Sequence, residues 1–386
     1  MEQVGGNASG SSSGAWLGGL RVVELGQFLS APFGGMIFCD LGAEVVKVEV
    51  PGKGDDGRRM GMPFEGGDAL IFRDLNRGKK SVTIDIKSDD GRQSLMALLE
   101  TADIVISNLR QGVLAALGLD GPALSARFPR LVCCDLSAFG HAGPMHHDPG
   151  YEPLAQAYSG LASVNGTTEG PPLRTGPSIV DLGSGMWIVI AALAALRQRD
   201  ANGGRGGVVE LSLLETAMTW IGADVSGYLN EGRVPARRGN AQPLLVPYDA
   251  FSASDGMICL AVGNDTQFAR LAEVVGFPEW AADARFATNG ERIRNRATLT
   301  GMVAALLMTR SRDHWEASFR SAGIPCTRFN TIAEAVASPQ VASLGMLRPS
   351  PSTGRQSLGL PFTIDGVRPG SLDEAPALGE HNSQYL

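Results

Sequence analysis

Two kinds of hydrophobic spacing alternate along the first half of the chain. Short runs rich in β-branched residues have the pattern of buried strands, and between them lie stretches with helical spacing, such as Asp89 to Thr101. The strand-like runs are Arg21 to Leu25, Glu44 to Val50, Ser81 to Ile86, Asp103 to Ser107 and Leu131 to Leu136. This order predicts an α/β fold with a doubly wound, mostly parallel sheet and helices on both faces. Ligands of such sheets bind at the carboxyl ends of the strands.

The second half of the chain has a different organisation. The chain has 386 residues, more than one hydrophobic core usually holds, so we expect two domains. After a stretch rich in Gly, Arg and Asn near residues 200 to 240, the pattern predicts a smaller α+β segment. Its elements are a strand at Met257 to Val262 and helices near Thr266 to Val275, Ala297 to Met308 and Asp313 to Ala322. A last strand-like run covers Leu360 to Ile364.

These patterns divide the chain into segments. They are a flexible tail over residues 1–18, the first part of the large domain over 19–205, a linker over 206–240, the small domain over 241–325, and a return linker that completes the large domain over 326–386. The tail has neither the basic nor the apolar part of a signal peptide. It contains a GxSxG pattern at Gly10 to Gly14, but a nucleophile elbow also needs a strand before it and a helix after it. We therefore assign no chemistry to that motif.

Composition narrows the possible function classes. The net charge of -7, with no basic stripe, argues against nucleic-acid binding. The strongest apolar run, Trp187 to Leu196, is half the length of a membrane span, so we interpret it as a buried helix and expect no membrane partner. The cysteines have neither disulfide nor metal-ligand spacing, which predicts a cytoplasmic enzyme without a metal. After the first strand the chain reads Glu24 to Ser30 without the GxGxxG fingerprint, which argues against a dinucleotide enzyme.

One acidic residue has an unusual setting. Asp181 lies between a short apolar run and the small-residue segment Leu182 to Met186, which we interpret as flexible, just before the helix predicted over Trp187 to Leu196. Unpaired backbone amides and the dipole at a helix amino terminus favour a carboxylate and can stabilise an anionic intermediate. Asp181 is therefore a candidate nucleophile. From spacing alone, a simple helix cap is the stronger interpretation.

Blocks with a family signature extend in order over nearly the whole chain. They are residues 19–26 (GLRVVELG), 40–49 (DLGAEVVKVE), 75–87 (LNRGKKSVTIDIK), 102–108 (ADIVISN), 150–156 (GYEPLAQ), 239–251 (GNAQPLLVPYDAF), 261–268 (AVGNDTQF) and 378–382 (LGEHN). Through these blocks the chain resembles the class III CoA-transferases, the formyl-CoA transferase and carnitine CoA-transferase type of enzyme. The resemblance implies an enzyme that moves coenzyme A from an acyl-CoA thioester to a free carboxylic acid. It also implies an interlaced homodimer, in which the second domain of one subunit closes over the CoA site of the other.

The resemblance also implies roles for individual residues. It makes Asp181 the covalent nucleophile, which carries CoA as an aspartyl-CoA thioester, and it puts Tyr151 and Glu152 near the acyl group, where they orient intermediates. From the residues alone, Tyr151 also fits a helix start packed into the core. The implied contacts with coenzyme A are Leu29, Ser30, Ile84, Asp85, Lys87, Asn108, Leu109 and Arg110. Acyl-CoA is then a substrate, and no permanently bound cofactor or metal is expected.

Coenzyme A needs cations for its phosphates. Basic residues are concentrated in one short stretch of this acidic chain: Arg73, Arg77, Lys79, Lys80 and Lys87. Such a concentration favours phosphate binding, and a solvated turn is the alternative. Some relatives have an arginine directly after the glutamate that matches Glu49, whereas this chain has Val50. This departure removes the residue for that particular phosphate contact.

Two alternatives to transfer remain open at this point. An α-methylacyl-CoA racemase of the same fold has a histidine where this chain has Tyr151, and an ordinary tyrosine, with a pKa of about 10, is a poor base at neutral pH. His146 and His147 lie close to that position in sequence. A catalytically silent CoA-binding scaffold would keep the fold without using Asp181.

The start of the second domain bears on the acid that is exchanged. Formyl-CoA transferases have a long glycine-rich loop there, whereas this chain reads Gly239-Asn240-Ala241-Gln242-Pro243-Leu244-Leu245. We therefore expect a larger carboxylate, of the succinate type, in preference to oxalate or formate. The sequence gives no further information on the donor or the acceptor.

Overall fold

The computed structural model describes residues 15–62, 64–65, 67–110 and 112–386. Most of the predicted tail, with the motif at Gly10 to Gly14, lies outside the described residues. Residues 15–18 are part of the folded chain, since Trp16 and Leu17 pack against the main hydrophobic core. The Leu17 N–H also donates to the Leu41 carbonyl at 2.9 Å. The prediction of a flexible tail is therefore wrong over residues 15–18.

The elements of the first half alternate between strands and helices, as predicted. The strands of the chain are β1 (Arg21–Leu25), β2 (Glu44–Glu49), β3 (Phe64–Glu65), β4 (Asp68–Ala69), β5 (Lys80–Thr83), β6 (Ile104–Ser107), β7 (Val132–Ser137), β8 (Gly207–Ser212), β9 (Tyr248–Ala253), β10 (Gly256–Ala261), β11 (Cys326–Arg328), β12 (Leu347–Pro349) and β13 (Gln356–Leu358). The helices are α1 (Ser30–Asp40), α2 (Leu70–Leu75), α3 (Asp89–Glu100), α4 (Val113–Ala116), α5 (Gly121–Arg127), α6 (Glu152–Tyr158), α7 (Leu161–Val164), α8 (Ile179–Ala201), α9 (Leu213–Trp220), α10 (Gly222–Glu231), α11 (Asp265–Val274), α12 (Asn289–Arg294), α13 (Arg296–Leu307), α14 (Arg312–Ser321), α15 (Ile332–Val336), α16 (Pro339–Ser343) and α17 (Asn382–Tyr385). Short 3₁₀ helices cover Asp56–Arg59 and Pro278–Ala281.

The main sheet has six strands in the order β5-β2-β1-β6-β7-β8, and every neighbouring pair is parallel. The predicted α/β fold with a mostly parallel sheet is therefore confirmed. From β1 the chain adds β2 and β5 on one side of the sheet and then β6, β7 and β8 on the other. Such a reversal of strand order creates a crevice outside the carboxyl ends of the strands, where ligands bind. The crevice is expected next to Leu25 and Ser107, where β1 and β6 end.

Helix α8 is longer than the sequence predicted. It begins at Ile179 instead of Trp187, so the segment Leu182 to Met186 is helical, and our interpretation of it as flexible is wrong. Its small residues serve close packing against α1. A Cβ atom on Gly185 would lie only 2.6 Å from the Ser30 carbonyl oxygen, so a larger residue would push the two helices apart.

The same helix is long and apolar enough to cross a membrane, by length and composition alone. The sequence predicted an apolar helix of half that length, over Trp187 to Leu196, so this prediction of its length is wrong. A core helix can have the same properties, and Val180, Ile188 and Ala192 are fully buried in the main core. Apolar residues on the other side of α8, among them Trp187 and Ile190, remain exposed.

The C-terminal segment covers the edge strand β5. The Gly379 N–H donates to the Ser81 hydroxyl at 2.9 Å, and the Thr83 N–H donates to the Asn382 side-chain oxygen at 2.8 Å. The His381 N–H donates to the Ser81 carbonyl at 2.9 Å. An uncovered edge strand is prone to pair with other chains, and these bonds protect β5 from that.

The chain divides into two compact units. The first comprises the described residues up to Ala162, together with Arg174–Arg233 and Gln340–Leu386. The second comprises Ser163–Leu173 and Val234–Pro339, and the first of these segments is one that the sequence-based division left in the large domain.

The second unit contains an antiparallel sheet in the order β11-β10-β9, with helices α11 to α14. Phe251, Ile258 and Leu299 belong to its hydrophobic core, in which Ile258 and Leu299 are fully buried. The strand predicted at Leu360 to Ile364 is wrong. Strands β12 and β13 pair before it, and Ile364 forms an isolated bridge with Val367.

Candidate active site

Two cavities of the first unit lie at the carboxyl ends of the parallel strands. The first, of about 420 Å³, lies at the ends of β1, β6 and β7, and the second, of about 510 Å³, lies at the ends of β1, β2 and β5. Gln27, Leu109 and Val113 line both cavities. The cavities therefore adjoin where the strand order reverses, and together they form one extended groove.

The groove collects most of the predicted site residues. Those that line the first cavity are Leu29, Ser30, Asn108, Leu109, Arg110, Tyr151 and Asp181. Those that line the second are Ile84, Asp85, Lys87 and again Leu109. Val50, which replaces the arginine of some relatives, also lines the second cavity. Glu152 lines neither cavity and is buried, with 3% of its surface exposed.

Asp181 lies in the first turn of α8 but does not cap the helix. Ser178 is the N-cap residue and makes no side-chain capping bond. The Val180 N–H donates to Glu152 Oε1 at 2.9 Å, so the neighbouring carboxylate satisfies a free amide at the helix start. The interpretation of Asp181 as a simple cap is therefore wrong, and its side chain lines the first cavity instead.

The surroundings of Asp181 change its acidity. Burial raises the pKa of its carboxyl to about 7, and the negative charge of Glu152 adds to this effect. A hydrogen bond with the Ser30 hydroxyl lowers the pKa, because it favours the charged form. A strongly perturbed carboxyl group in a cleft is typical of a functional site.

Glu152 is held by protein groups on two sides. In addition to the Val180 N–H, its Oε1 accepts a hydrogen bond from Gln156 Nε2 at 3.0 Å. Gln156 in turn accepts the Thr175 N–H at 3.0 Å. These bonds connect the start of α6 to the start of α8, so Glu152 fixes the position of the helix that carries Asp181.

Tyr151 is an exposed residue of the first cavity. It precedes α6, and 63% of its surface is exposed, so the alternative of a tyrosine packed in the core is wrong. Its ring meets the Phe28 ring edge-on, with 5.9 Å between the centroids. The two rings form an aromatic wall of the cavity that contains Asp181.

Asn108, which directly follows β6, holds the loop that leaves β1. Its Oδ1 accepts the Gln27 N–H at 2.9 Å, and its Nδ2 donates to the Gln27 carbonyl at 2.9 Å. Nδ2 also donates to the Ser30 hydroxyl at 3.2 Å. The amide therefore fixes the crossing point of the two loops that flank the strand-order reversal.

Most of the predicted basic cluster serves the fold instead of phosphate binding. Lys79 is buried and pairs with Glu24 at 2.7 Å, Arg73 pairs with Glu374 at 2.9 Å, and Arg77 pairs with Asp40. The prediction of a phosphate site is wrong for these three residues, because carboxylates of the same unit already neutralise them. Lys87 differs, since its side chain is exposed and lines the second cavity.

Some residues of the groove were not predicted. The first cavity is also lined by Gln27, Phe28, Asp56, His146 and Asp148. Gln27 and Phe28 were detectable, because they directly follow the β1 motif. Asp148 is not, because no regular spacing connects it to Asp181. His146 Nδ1 donates to the Gly143 carbonyl at 2.8 Å, because a carbonyl oxygen can only accept a hydrogen bond.

The described residues that line the groove include neither a metal-binding cluster nor a cysteine. Over residues 15–62, 64–65, 67–110 and 112–386, no group of three or more His, Cys, Asp or Glu side chains is suited to hold a metal ion. All five cysteines are unpaired thiols. Burial raises the pKa of Cys133 to about 12, and that thiol is therefore protonated at neutral pH.

The fold and the groove are those of an α/β protein with an extended cleft beside a largely buried carboxyl group, as expected of an enzyme with an extended substrate. The chain belongs to CoA-transferase family III, which it matches over residues 17–382. It is 33% identical over 379 residues to the succinate–glutarate CoA-transferase of Agrobacterium fabrum, covering 96% of this chain and 94% of that protein. It is 35% identical over 367 residues to the acetyl-CoA:oxalate CoA-transferase of Acetobacter aceti, covering 93% of each.

A solved structure is similar over the same length. The CAIB/BAIF family protein from Brucella suis has a TM-score of 0.84 and 37% identity, covering 95% of this chain and 97% of that one. The chain is therefore an enzyme, a class III CoA-transferase that uses acyl-CoA thioesters as substrates. The resemblance drawn from the sequence is confirmed, and transfer is favoured over the racemase and scaffold alternatives.

Proposed function

We propose that this enzyme transfers CoA through an aspartyl-CoA thioester on Asp181. The observation that carries the proposal is the position of Asp181 in the first cavity, at the amino terminus of α8 and at the reversal of strand order. A carboxylate can activate an acid without ATP, because it exchanges acyl groups through anhydrides. The positive end of the helix dipole then favours the oxyanions that form at the aspartyl carbon.

The reaction proceeds in two symmetrical halves. Asp181 attacks the donor thioester, which gives a mixed anhydride and CoA thiolate, and the thiolate then attacks the aspartyl carbonyl and releases the donor acid. The acceptor carboxylate attacks the aspartyl-CoA thioester, and CoA thiolate leaves again. The thiolate captures the acceptor acyl group from this second anhydride, which regenerates the Asp181 carboxylate.

The groove suits the two ends of acyl-CoA differently. The thioester belongs in the first cavity, beside Asp181 and the aromatic wall of Phe28 and Tyr151. The nucleotide belongs in the second cavity, where Lys87 supplies a cation for phosphate. Glu152 is buried, so we assign it an action on Asp181 and not a contact with the acyl group.

We propose a dicarboxylic acid as one of the exchanged acids. The name of one relative contains succinate and glutarate, and that of the other contains oxalate, so both name dicarboxylic acids. The absence of the long glycine-rich loop after Asn240 favours the larger acids. A panel of acyl-CoA donors against mono- and dicarboxylic acids, read by mass spectrometry, tests this. Faster transfer to monocarboxylic acids would contradict it.

The same assay tests the nucleophile. Asp181→Asn replaces the nucleophilic carboxylate by an amide of nearly the same volume. We expect the rate of CoA transfer to fall by at least a thousandfold. Asp148→Asn is the matched control, because Asp148 lines the same cavity without a place in the reaction. Transfer lost equally in both variants would point to the charge of the cavity instead of the nucleophile.

We propose that the enzyme is an interlaced homodimer. Large apolar side chains are exposed on neighbouring helices of the first unit, and a patch of this kind is typical of an interface. They are Met186, Trp187 and Ile190 on α8, Met218 and Trp220 on α9, and Tyr228 and Leu229 on α10. A second copy is the occupant we choose, because the chain passes between its two units more than once and separate connections allow subunits to interlock.

Light scattering over a dilution series tests the dimer. We expect no folded monomer at nanomolar concentration and no exchange between tagged subunits within minutes. Ile190→Lys should reduce the yield of folded dimer, while Leu358→Lys, an exposed apolar residue on β13, should not. A stable folded monomer would contradict the proposal.

We also propose a cytoplasmic location. The five unpaired thiols fit a reducing compartment, where disulfides are rare. Fractionation of cells that produce the tagged protein tests this location, and activity confined to a membrane fraction would contradict it.

A further inference from the structure

The loop between β1 and α1 has a backbone that needs support. Phe28 has a φ of +63°, although it is not a glycine. A bulky residue in this left-handed region is strained and persists only where its surroundings hold it. The loop continues directly into Ser30, which begins α1 and lines the cavity with Asp181.

Asp55 holds the strained residue. Its Oδ1 accepts the Phe28 N–H at 3.1 Å and the Gly57 N–H at 2.7 Å. Its Oδ2 lies 2.9 Å from Lys47 Nζ. Asp55 is 2% exposed, so none of these three contacts is weakened much by solvent.

Asp55 is one end of a buried charge cluster, which consists of Glu24, Lys47, Asp55 and Lys79. Glu24 accepts Lys47 at 2.7 Å and Lys79 at 2.7 Å. The two lysines also bond to the backbone around the loop. Lys47 donates to the Gly26 carbonyl at 2.8 Å, and Lys79 donates to the Pro32 carbonyl at 2.8 Å.

The cluster therefore forms hydrogen bonds with the backbone of Gly26, Phe28 and Pro32. Asn108, which follows β6, bonds to the backbone of Gln27 in the same loop. The burial of four charges has a desolvation cost that their mutual attraction often does not exceed, so stability alone does not account for such a cluster. What is fixed here is the loop that ends at Ser30. Ser30 and Asp181 line the same cavity, where α1 packs closely against α8, and the Ser30 hydroxyl favours the charged form of the Asp181 carboxyl.

We propose that the buried charge cluster is a positioning device for the nucleophile: through the Phe28 loop it holds the Ser30 hydroxyl against Asp181. Asp55 is thus a positioning residue, which acts on Asp181 through Ser30: it lines the second cavity, but its Oδ1 is held by the Phe28 and Gly57 N–H groups. The inference rests on the proposed role of Asp181. It adds a function for a cluster that lies outside the lining of the first cavity, and it makes Ser30 a partner of the nucleophile in addition to its expected contact with CoA.

The expected signature is a change in the pH dependence of Asp181 labelling. The measurement is the rate at which acyl-CoA converts Asp181 to its covalent form in a single turnover, from about pH 5 to about pH 9. Loss of the Ser30 hydrogen bond disfavours the carboxylate, so the midpoint of the profile moves to higher pH. At about pH 6 we expect a threefold to tenfold slower reaction, on the order of a shift by half to one pH unit, and at high pH little change.

Other charged groups around Asp181 are the same in every variant. Glu152 faces it from α6, and the remaining groups of the cavity are Asp56, Arg110, His146 and Asp148. A difference between the wild type and a variant of the loop therefore reports on the loop.

The variants are Ser30→Ala, Asp55→Asn and the double variant, with Ser30→Thr as the version that keeps the hydroxyl. Both single changes should move the profile in the same direction, and Asp55→Asn should add nothing once Ser30 is alanine. Asp40→Asn is the matched control, because it breaks a different buried ion pair, with Arg77, away from the loop. It should lower the melting temperature and leave the profile in place.

The outcomes separate the two proposals. Absence of any label on wild-type Asp181 overturns the proposed function. Normal labelling with an unchanged profile in Ser30→Ala overturns the present inference, even if Asp55→Asn does not fold. Additive effects in the double variant overturn the link between Asp55 and Ser30.

Discussion

The raised pKa of Asp181 should be visible in the stability of the protein. In the unfolded chain its carboxyl has an ordinary pKa of 3.8, and in the folded protein the pKa is about 7. Between these values the folded state holds a proton that the unfolded state has lost. The free energy of unfolding therefore falls as the pH rises from about 4 to about 7, and it is then constant with respect to this group.

Replacement by asparagine removes this penalty. The difference between 3.8 and about 7 corresponds to roughly 4 kcal/mol at 1.36 kcal/mol per pKa unit, which is an upper limit. The side chain is not fully buried, so we expect Asp181→Asn to gain about 2 kcal/mol over the wild type above pH 7. The gain should shrink towards zero near pH 4, where the carboxyl is protonated in both states.

Urea unfolding of both proteins at several pH values and equal concentration measures the effect. Asp148→Asn is again the control, since it removes a carboxylate of the same cavity. It should change stability little at any pH. A gain in Asp181→Asn that is the same at about pH 5 and about pH 8, or a loss, would refute the reasoning from burial and charge.

Three further results are expected. Glu152→Gln keeps an oxygen for the Val180 N–H but removes the negative charge, so the pKa of Asp181 should fall. The acid side of the pH profile of the transfer rate should then move to lower pH. A profile that does not move would contradict the role of Glu152. Lys87→Ala should raise the KM for acyl-CoA about threefold at low salt and less at high salt, with kcat unchanged, whereas Lys53→Ala, a surface lysine paired with Asp56, should not. In heavy water, a 2-methylacyl-CoA should gain deuterium far more slowly than it transfers CoA; rapid exchange that is lost in His146→Gln would favour a racemase.

The period of the hydrophobic residues predicted the main sheet well. Strand β1 lies at Arg21–Leu25, where it was predicted, β6 begins one residue later than predicted, and β7 is shifted by one residue. Strand β5 ends at Thr83 instead of Ile86, because the Asp85 side chain accepts the Lys87 N–H at 3.0 Å and turns the chain. Such local hydrogen bonds compete with the sheet and are not part of the hydrophobic period.

Spacing failed where tertiary contacts decide the structure. Gly183, Ser184 and Gly185 have low helix propensity, but the close fit of this segment against α1 makes it helical. The burial of Lys79 could not be foreseen either, because its carboxylate partner Glu24 lies on another strand. The position of Asp181 was found through the family resemblance, while its separation from the helix cap depends on Glu152, a contact between distant segments.

The central claim is the covalent aspartyl-CoA intermediate on Asp181. The most direct measurement is mass spectrometry of the enzyme after incubation with acyl-CoA and no acceptor, followed by hydroxylamine and digestion. We predict one modified residue, Asp181, and no modification of Glu152 or Asp148. Asp181→Ala should bind CoA but form no adduct and transfer no CoA. An adduct on another residue, or full transfer by Asp181→Ala, would contradict the account.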